Sequence, residues 1–429
     1  MKILVVGSGA REHSLVKKFS SESSVEGVIC APGNAGIKRE NLTDVIPLNI
    51  SDSEAILSIA EAENVDLTVV GPELPLANGV SDLFLSHGRF LFGPTKSAAR
   101  LESSKTFAKL FMARHAIPTA GFEVCESYEQ ALGLIRNDRF GSSVVVKADG
   151  LAAGKGVTVA EDRTTAEAAI RDAMVERRFG DAGTNLVLEE CLTGPEVSYF
   201  VITDGTRFIS LPPAQDHKRV FDNDLGPNTG GMGAFAPSPL LTPDLEQSVI
   251  RDIVEPTIKG MRQEGNEYRG VLYVGLMLTD KGPQVIEFNV RFGDPEAQIV
   301  LPMVESELAP VLLAAAKGDL GDVGWQLSSE PHIGVVMASG GYPGKHETGF
   351  SIVGIDGAEK VAGVHVVHAG TVVKDEEIVT NGGRVLTVVA RGGSFPVAIE
   401  RAYKGVDRIS FQGSHARTDI GQGALYAHD

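Results

Sequence analysis

Gln284-Val285-Ile286-Glu287-Phe288-Asn289-Val290-Arg291-Phe292-Gly293-Asp294-Pro295-Glu296 reads as a strand running into a turn. A period of two puts Glu287, Asn289 and Arg291 on one face and Ile286, Phe288, Val290 and Phe292 on the other. One face is apolar; the other carries a carboxylate, an amide oxygen and a guanidinium in line. The two oxygens are hard ligands suited to Mg²⁺, which keeps some water and completes its shell with phosphates. The guanidinium two residues on can fork onto a phosphoryl or carboxylate oxygen. That is equipment for phosphoryl transfer from a metal–nucleotide complex. Taken alone, the same alternation describes a half-exposed strand with a polar outer face, so its surroundings must decide.

Working outward, residues 271–278 predict the partner strand of a hairpin, turned at Thr279-Asp280-Lys281-Gly282-Pro283. Thr242-Pro243 is an N-cap and first helical position, predicting a helix toward Gly260 with a kink at Pro256. Strands are expected at 186–192 and 197–202, meeting at Thr193-Gly194-Pro195, and at 144–147 and 157–160 around a glycine-rich loop. A helix over 104–117 stops at Pro118. In the first hundred residues, apolar strands at 3–6, 25–30 and 67–70 each close on a loop rich in glycine or proline, and residues 14–19 begin the first helix. Strands with loops at their carboxyl ends predict a parallel α/β sheet with ligands above those ends. After about Gln326 the chain is strand-rich and glycine-punctuated, with a helix at 396–404. The expected fold class is α/β and α+β multidomain: an amino-terminal parallel α/β domain over 1–104, a central α+β region over 105–325, and a small strand-rich domain over 326–429.

Length and charge narrow the partners. The 429 residues suggest about three domains, each with its own core. Net charge is −17 with no basic tract, which argues against nucleic acid or an anionic membrane as partner. Cys30, Cys125 and Cys191 are scattered without metal or redox spacing, so reduced thiols in a cytoplasmic protein are expected. The start of the chain lacks a signal-peptide pattern, and no apolar run approaches the ~18 residues a membrane span needs. Nothing announces an interface, and a monomer is expected.

Two glycine loops invite familiar assignments and resist both. Asp149-Gly150-Leu151-Ala152-Ala153-Gly154-Lys155-Gly156 is not a Walker loop: the glycine spacing is one residue short, Gly156 follows Lys155, and a strand comes next. A hairpin carrying Lys147 and Lys155 that closes over a triphosphate fits better, with a merely flexible hairpin as its rival. Gly7-Ser8-Gly9-Ala10-Arg11-Glu12 lacks the third glycine of the dinucleotide fingerprint; Glu12 stands there and Arg11 offers a phosphate fork. A monophosphate at a helix N-terminus fits this loop better than a nicotinamide dinucleotide. Glu189, Glu190 and Glu196 put carboxylates near a possible nucleotide cleft, although acids at strand ends are usually solvated. Gln215-Asp216-His217-Lys218-Arg219 reads first as a wet surface loop, with His217 structural. No Ser/His/Asp triad or zinc spacing emerges.

Ten segments, in order, carry a family resemblance: GSGAREH, APGNAG, VGPELPL, KADGLAAGKGV, LEECLTGPEVS, QDHKR, GPNTGGMG, EFNVRFGDPE, ASGGYP and TNGGRVL. Together they resemble the glycinamide ribonucleotide synthetase family of the ATP-grasp superfamily, from Met1 to about Gly421. The resemblance implies an ATP-grasp domain over 105–325 with a lid subdomain at about 122–193. It implies ligation of glycine to 5-phosphoribosylamine in purine biosynthesis, with ATP as co-substrate and Mg²⁺ or Mn²⁺ as metal. Lys105 and Lys147 look like the lysines on the ATP phosphates, and Gly154, Lys155 and Gly156 like part of the lid. Glu189, Glu190 and Leu192 resemble the segment meeting adenine, and Glu196 the ribose ligand. Glu287 and Asn289 match the metal pair. Arg291, with Lys147 and Asp216, falls on the catalytic positions; Gly9, Arg11, Asn34, Glu73, Asp216 and Arg291 fall on the substrate side. Ala10 stands where the family more often has glycine. The nearest alternative is another ATP-grasp ligase or carboxylase acting on a purine intermediate; a nicotinamide oxidoreductase and a non-catalytic nucleotide sensor are the readings outside the superfamily.

Overall fold

The computed structural model describes residues 1–151 and 156–425. Lys2–Gly7, Gly27–Pro32, Thr43–Val45, Leu67–Val70 and Leu91–Phe92 form one fully parallel sheet, with Lys2–Gly7 at its centre. Two of the five strands, Thr43–Val45 and Leu91–Phe92, are absent from the sequence expectation because two or three residues are too short to show a period. The first helix runs Ala10–Ser20, beginning four residues earlier than expected. Gly9 is its N-cap, and Glu12 reaches back to accept from the Gly9 amide at 2.5 Å, a one-sided cap, since glycine has no side chain to return it, that draws the glycine loop into the first turn. Ala10 is therefore helical, and alanine is at no disadvantage there.

The central region forms two antiparallel sheets. One orders Phe122–Cys125, Leu186–Glu190, Val144–Ala148 and Val157–Ala160, with the helices Tyr128–Arg136 and Arg163–Met174 sharing its core. The other orders Phe208–Ser210, Glu196–Thr203, Gly270–Thr279 and Gly282–Asn289. The strands on either side of Thr193-Gly194-Pro195 thus belong to different sheets, and the short link between them joins the two walls of a cleft. The expected kink near Pro256 is a π-helical turn, Ile250–Val254, between helices Pro243–Val249 and Glu255–Gln263.

A third antiparallel sheet takes Gln215–Asp216 and Gly233–Ala236 from mid-chain and pairs them with His332–Ala338, Arg384–Arg391 and Val364–His368. Asp216 is consequently an edge-strand residue with its side chain 8% exposed, not part of a wet loop. The cores interlock. One buried cluster unites Leu4 and Val6 of the parallel sheet with Val274, Val285, Phe288 and Val290 of the hairpin. Helix Ala10–Ser20 is buried along most of its length against Ala297–Val300, Leu308–Lys317 and Val364–His368. That packing brings the first glycine loop over the end of the hairpin. No helix among the described residues is long and apolar enough to cross a membrane.

Candidate active site

The hairpin strand Gly282–Asn289 departs from simple alternation. Glu287 pairs with Gly275 but Val285 pairs with the next residue, Leu276, so Ile286 is the extra residue of a β-bulge. Val285 is fully buried, whereas Ile286 lines the cleft beside Glu287 and Asn289 rather than facing the core as the alternation predicted. The bulge also frees the Ile286 carbonyl, which accepts from Lys147 Nζ at 3.0 Å.

Two cavities of about 340 and 420 Å³ meet along this strand end, sharing Lys147, Glu189, Glu287, Asn289, Arg291 and Asp294 in their walls. The larger lies between the two antiparallel sheets. Its apolar lining includes Val145, Val159, Leu192 and Met277, with Glu190 and Glu196 also in its wall. The smaller is walled by Arg11 and Glu73 of the parallel domain, Lys105 of the helix Lys105–Arg114, and Arg384 of the carboxyl-terminal sheet.

Arg291 stands where the cavities join. Its Nη2 lies 2.9 Å from both Glu102 Oε1 and Asn289 Oδ1, and its Nη1 donates to Phe292 O at 3.2 Å. Its Nε is buried without a hydrogen-bond partner among the described residues, with the Glu73 carboxylate 3.6 Å away. Burial opposes the charge, but Glu102 and Glu73 outweigh it and hold the guanidinium above its ordinary pKa. Burial pushes Glu102 up, while at Glu73 the charges of Arg291 and Arg11 overcome burial and pull the pKa down. Arg11 donates to the same Phe292 carbonyl at 3.3 Å and pairs with Glu12 at 2.6 Å. Two guanidinium groups are therefore held side by side at the cavity wall, and the Arg291 Nε–H left without a hydrogen-bond partner among the described residues is a donor suited to an anion's oxygen.

Lys147 and Glu189 form the inner wall, 3.0 Å apart, with Glu189 also 2.8 Å from Lys109 Nζ. Glu189 is thus a buried counter-ion of two lysines, while its neighbour Glu190 is exposed. Lys105 donates to Gly150 O at 3.2 Å, and burial lowers its pKa against the pull of Glu287. Asp149 ties the root of the glycine loop to that helix, accepting from Ser104 Oγ at 3.0 Å and Thr106 N at 3.1 Å. Gly154 and Lys155 lie outside the described residues; Gly156 lines the smaller cavity. Asp216 and Glu196 both pair with Lys218 and hold it charged against burial.

Asn34 lines neither of the two cavities. Its amide donates to Ser8 O and His368 O, both at 2.9 Å, and its carbonyl oxygen accepts from Gly36 N and Ile37 N. It locks the loops over the parallel sheet. Gly9 acts through its amide, which holds Glu12. Glu12 fills the crevice at Gly7 and Gly71, occupying the close approach that a dinucleotide pyrophosphate would need. A Cβ on Gly71 would collide with the Glu12 carboxylate. Gly71→Ala should therefore cost about 1–3 kcal/mol through overpacking, measured as a lower denaturation midpoint at unchanged slope.

Sequence reasoning missed Lys109, Glu102, Asp294 and Arg384. Arg384 pairs with Asp294 at 2.9 Å, and both lie in quoted motifs without having been singled out. Lys109 follows Lys105 by four residues and so shares its helix face, a signal that was available. Glu102 had none; its role comes from the helix Arg100–Ser103 meeting the strand end, where Glu102 Oε2 also accepts from Val290 N at 2.8 Å.

Two antiparallel sheets clasping a cleft, with lysines on one wall and a carboxylate–amide pair on the other, define an ATP-grasp enzyme. Residues 1–102, 103–297 and 332–423 match in turn the N domain, the ATP-grasp (A) domain and the C domain of phosphoribosylglycinamide synthetase, and the chain belongs to that family. It is 48% identical over 427 residues to phosphoribosylamine–glycine ligase of Escherichia coli strain K12, with 99% of each chain covered. The crystal structure of phosphoribosylamine–glycine ligase from Thermotoga maritima, 32% identical, superposes with a TM-score of 0.85 over 98% of this chain and 100% of that one. The biotin carboxylase domain of Hydrogenobacter thermophilus 2-oxoglutarate carboxylase, a complex with MgADP, ADP and bicarbonate, shares the fold at 18% identity. Its TM-score is 0.72, covering 100% of this chain and 98% of that one.

Proposed function

We infer that this chain is an ATP-dependent ligase joining glycine to 5-phosphoribosylamine to give glycinamide ribonucleotide, ADP and phosphate in purine biosynthesis. The observation that carries the mechanism is the junction of the two cavities at Glu287, Asn289 and Arg291. A nucleotide in the larger cavity and an anionic substrate in the smaller would meet there. Lys105 and Lys147 hold the phosphates, and the apolar wall near Leu192 receives the base, with Glu189 and Glu190 beside it and Glu196 at the ribose. Gly156, at the end of the glycine loop, lines the wall beside the triphosphate. Arg11, Gly9, Asn34 and Glu73 serve the substrate side, Asn34 and Gly9 by positioning the loops, and Asp216 acts there from the wall of the larger cavity.

Carboxylates react poorly with amines, so activation comes first. A glycine carboxylate oxygen attacks the γ-phosphorus, ADP leaves, and glycyl phosphate forms. The amine nitrogen of phosphoribosylamine then attacks the acyl carbon, phosphate departs with its electron pair, and the nitrogen sheds a proton. Arg291, with an unpartnered buried N–H, stabilises the phosphoryl oxygens during both steps. Enclosure of the cleft excludes water from the hydrolysable intermediate.

The donor set fits Mg²⁺ or Mn²⁺. Among the described residues no three His, Cys, Asp or Glu side chains converge to hold a metal unaided. Glu287 and Asn289 would supply two oxygens, leaving the other positions to phosphate and water, as Mg²⁺ prefers. When bound, the metal neutralises charge on the phosphoryl oxygens. We read the enzyme as a monomer that works in the cytoplasm, where ATP is supplied. The deciding assay follows ADP formation from Mg²⁺-ATP and freshly made phosphoribosylamine, with and without glycine. Release that requires both, with glycinamide ribonucleotide as product, is expected. Turnover with another acid or amine, and none with glycine, would overturn the substrate assignment.

A further inference from the structure

Lys109 has no part in the mechanism above, yet it is among the most enclosed charges in the cleft. It lies one turn after Lys105 on the helix Lys105–Arg114 and is 2% exposed. Its Nζ sits 2.8 Å from Glu189 Oε2 and donates to Thr119 Oγ1 at 2.7 Å; that hydroxyl donates onward to Val285 O at 2.7 Å. The other oxygen of Glu189 lies 3.0 Å from Lys147 Nζ, which also donates to Ile286 O. An ammonium has three N–H donors. Each lysine donates one hydrogen bond to protein, Lys109 to Thr119 Oγ1 and Lys147 to Ile286 O, and otherwise faces Glu189 as an ion pair; Lys109 lines the smaller cavity and Lys147 lines both. Lys147 and Glu189 are the charged groups that face Lys109, with the Phe122 ring 5.8 Å from its Nζ and Lys105 a turn away.

One carboxylate shared by two ammonium groups carries a net charge of +1 while both lysines are protonated and zero once one is not. We propose that Lys109 is a positioning residue that sets the strength of the nucleotide site through its protonation: charged, it shares Glu189 and leaves Lys147 free to attract phosphate; neutral, it cedes Glu189 to Lys147 and weakens nucleotide binding. The proposal rests on the assignment of the nucleotide to this cleft. Burial, opposed by Glu189 and reinforced by Lys147, brings Lys109 down to about 8, so the change falls within reach of ordinary assays. An ion pair that served folding alone would leave binding indifferent to this proton.

By linkage, a bound polyphosphate must raise the pKa of Lys109, and binding must take up protons near that pKa. A rise of one unit corresponds to an affinity about tenfold weaker once both forms are deprotonated. The experiment is calorimetry of MgADP with the full-length protein at about pH 7, 8 and 9, in two buffers of different ionisation enthalpy. Binding to the unaltered protein should weaken about fivefold across that range and take up protons near pH 8. Lys109→Arg should bind evenly at the strong level; Lys109→Met should bind evenly at the weak level, with no proton uptake. Should one variant fail to fold, the other decides: binding that still weakens with pH and takes up protons when position 109 cannot titrate in this range overturns the role of Lys109. Binding that neither weakens nor takes up protons overturns the role of Lys109 and leaves the cleft assignment standing. No binding at neutral pH overturns the cleft assignment, and the inference with it.

Discussion

Arg291→Ala is expected to lower kcat by about 10²–10³-fold, the scale of removing one preorganised donor to a developing anion. The guanidinium is held on three sides, by Glu102, by Asn289 and by the Phe292 carbonyl, so it cannot drift from the cavity junction. Its Nε is the part left over, buried and without a hydrogen-bond partner among the described residues. A donor in that state costs free energy in the empty site and recovers it when an oxygen arrives. The substitution leaves Glu102 without its cation, but burial already pushes that carboxyl up, and taking up a proton spares the fold a bare charge. Glu102→Gln isolates the positioning effect. The amide oxygen can still accept from Val290 N, whereas the charge on Arg291 loses the nearer of its two carboxylates and keeps only Glu73. A smaller loss of turnover than in Arg291→Ala is expected. Near-normal turnover in Arg291→Ala would remove that residue from the mechanism.

Glu189→Leu should carry the largest stability cost of any single change in the cleft. Breaking a buried pair by removing one member costs about 3–5 kcal/mol, and here one carboxylate serves two lysines. Lys109 offers partial relief by shedding its proton. Its folded pKa is already depressed, and loss of Glu189 depresses it further. A lysine depressed in the folded state opposes folding while it is charged, and that opposition fades as pH rises through the folded pKa. The deficit of the variant should therefore be greatest near neutrality and shrink as pH climbs toward 8, which urea denaturation at several pH values would register. A deficit that grew with pH would place the destabilisation elsewhere.

The glycine loops illustrate what a sequence can and cannot disclose. Glu12, in place of the third fingerprint glycine, argued against a dinucleotide from its identity alone, and the fold supplies the steric reason by laying its side chain across Gly7 and Gly71. Arg11 was readable as an anion ligand, but not as the neighbour of Arg291, because the two are 280 positions apart and meet only at the Phe292 carbonyl. Asn34, named for the substrate side, has its amide engaged by four backbone groups, two of them in its own loop.

Local chemistry therefore lay in the chain itself. The carboxylate, amide and guanidinium at 287, 289 and 291, the lysine at 147, and the strand–loop rhythm of the first hundred residues all follow from short-range periodicity and residue type, whereas Lys105 was marked only by the family resemblance. The folded chain decided what depends on distant segments meeting. A bulge at Ile286 turned an apolar residue into cleft wall, because an extra residue shifts the pleat by one and no periodicity reveals which residue is extra. Gln215–Asp216 became the edge of a sheet completed more than a hundred residues later, which dried a segment whose composition read as wet. Glu102, Lys109 and Arg384 acquired their roles only when three domains packed around one strand end. Desolvation and ion pairing are properties of that assembled space, and neither is written in the order of the residues.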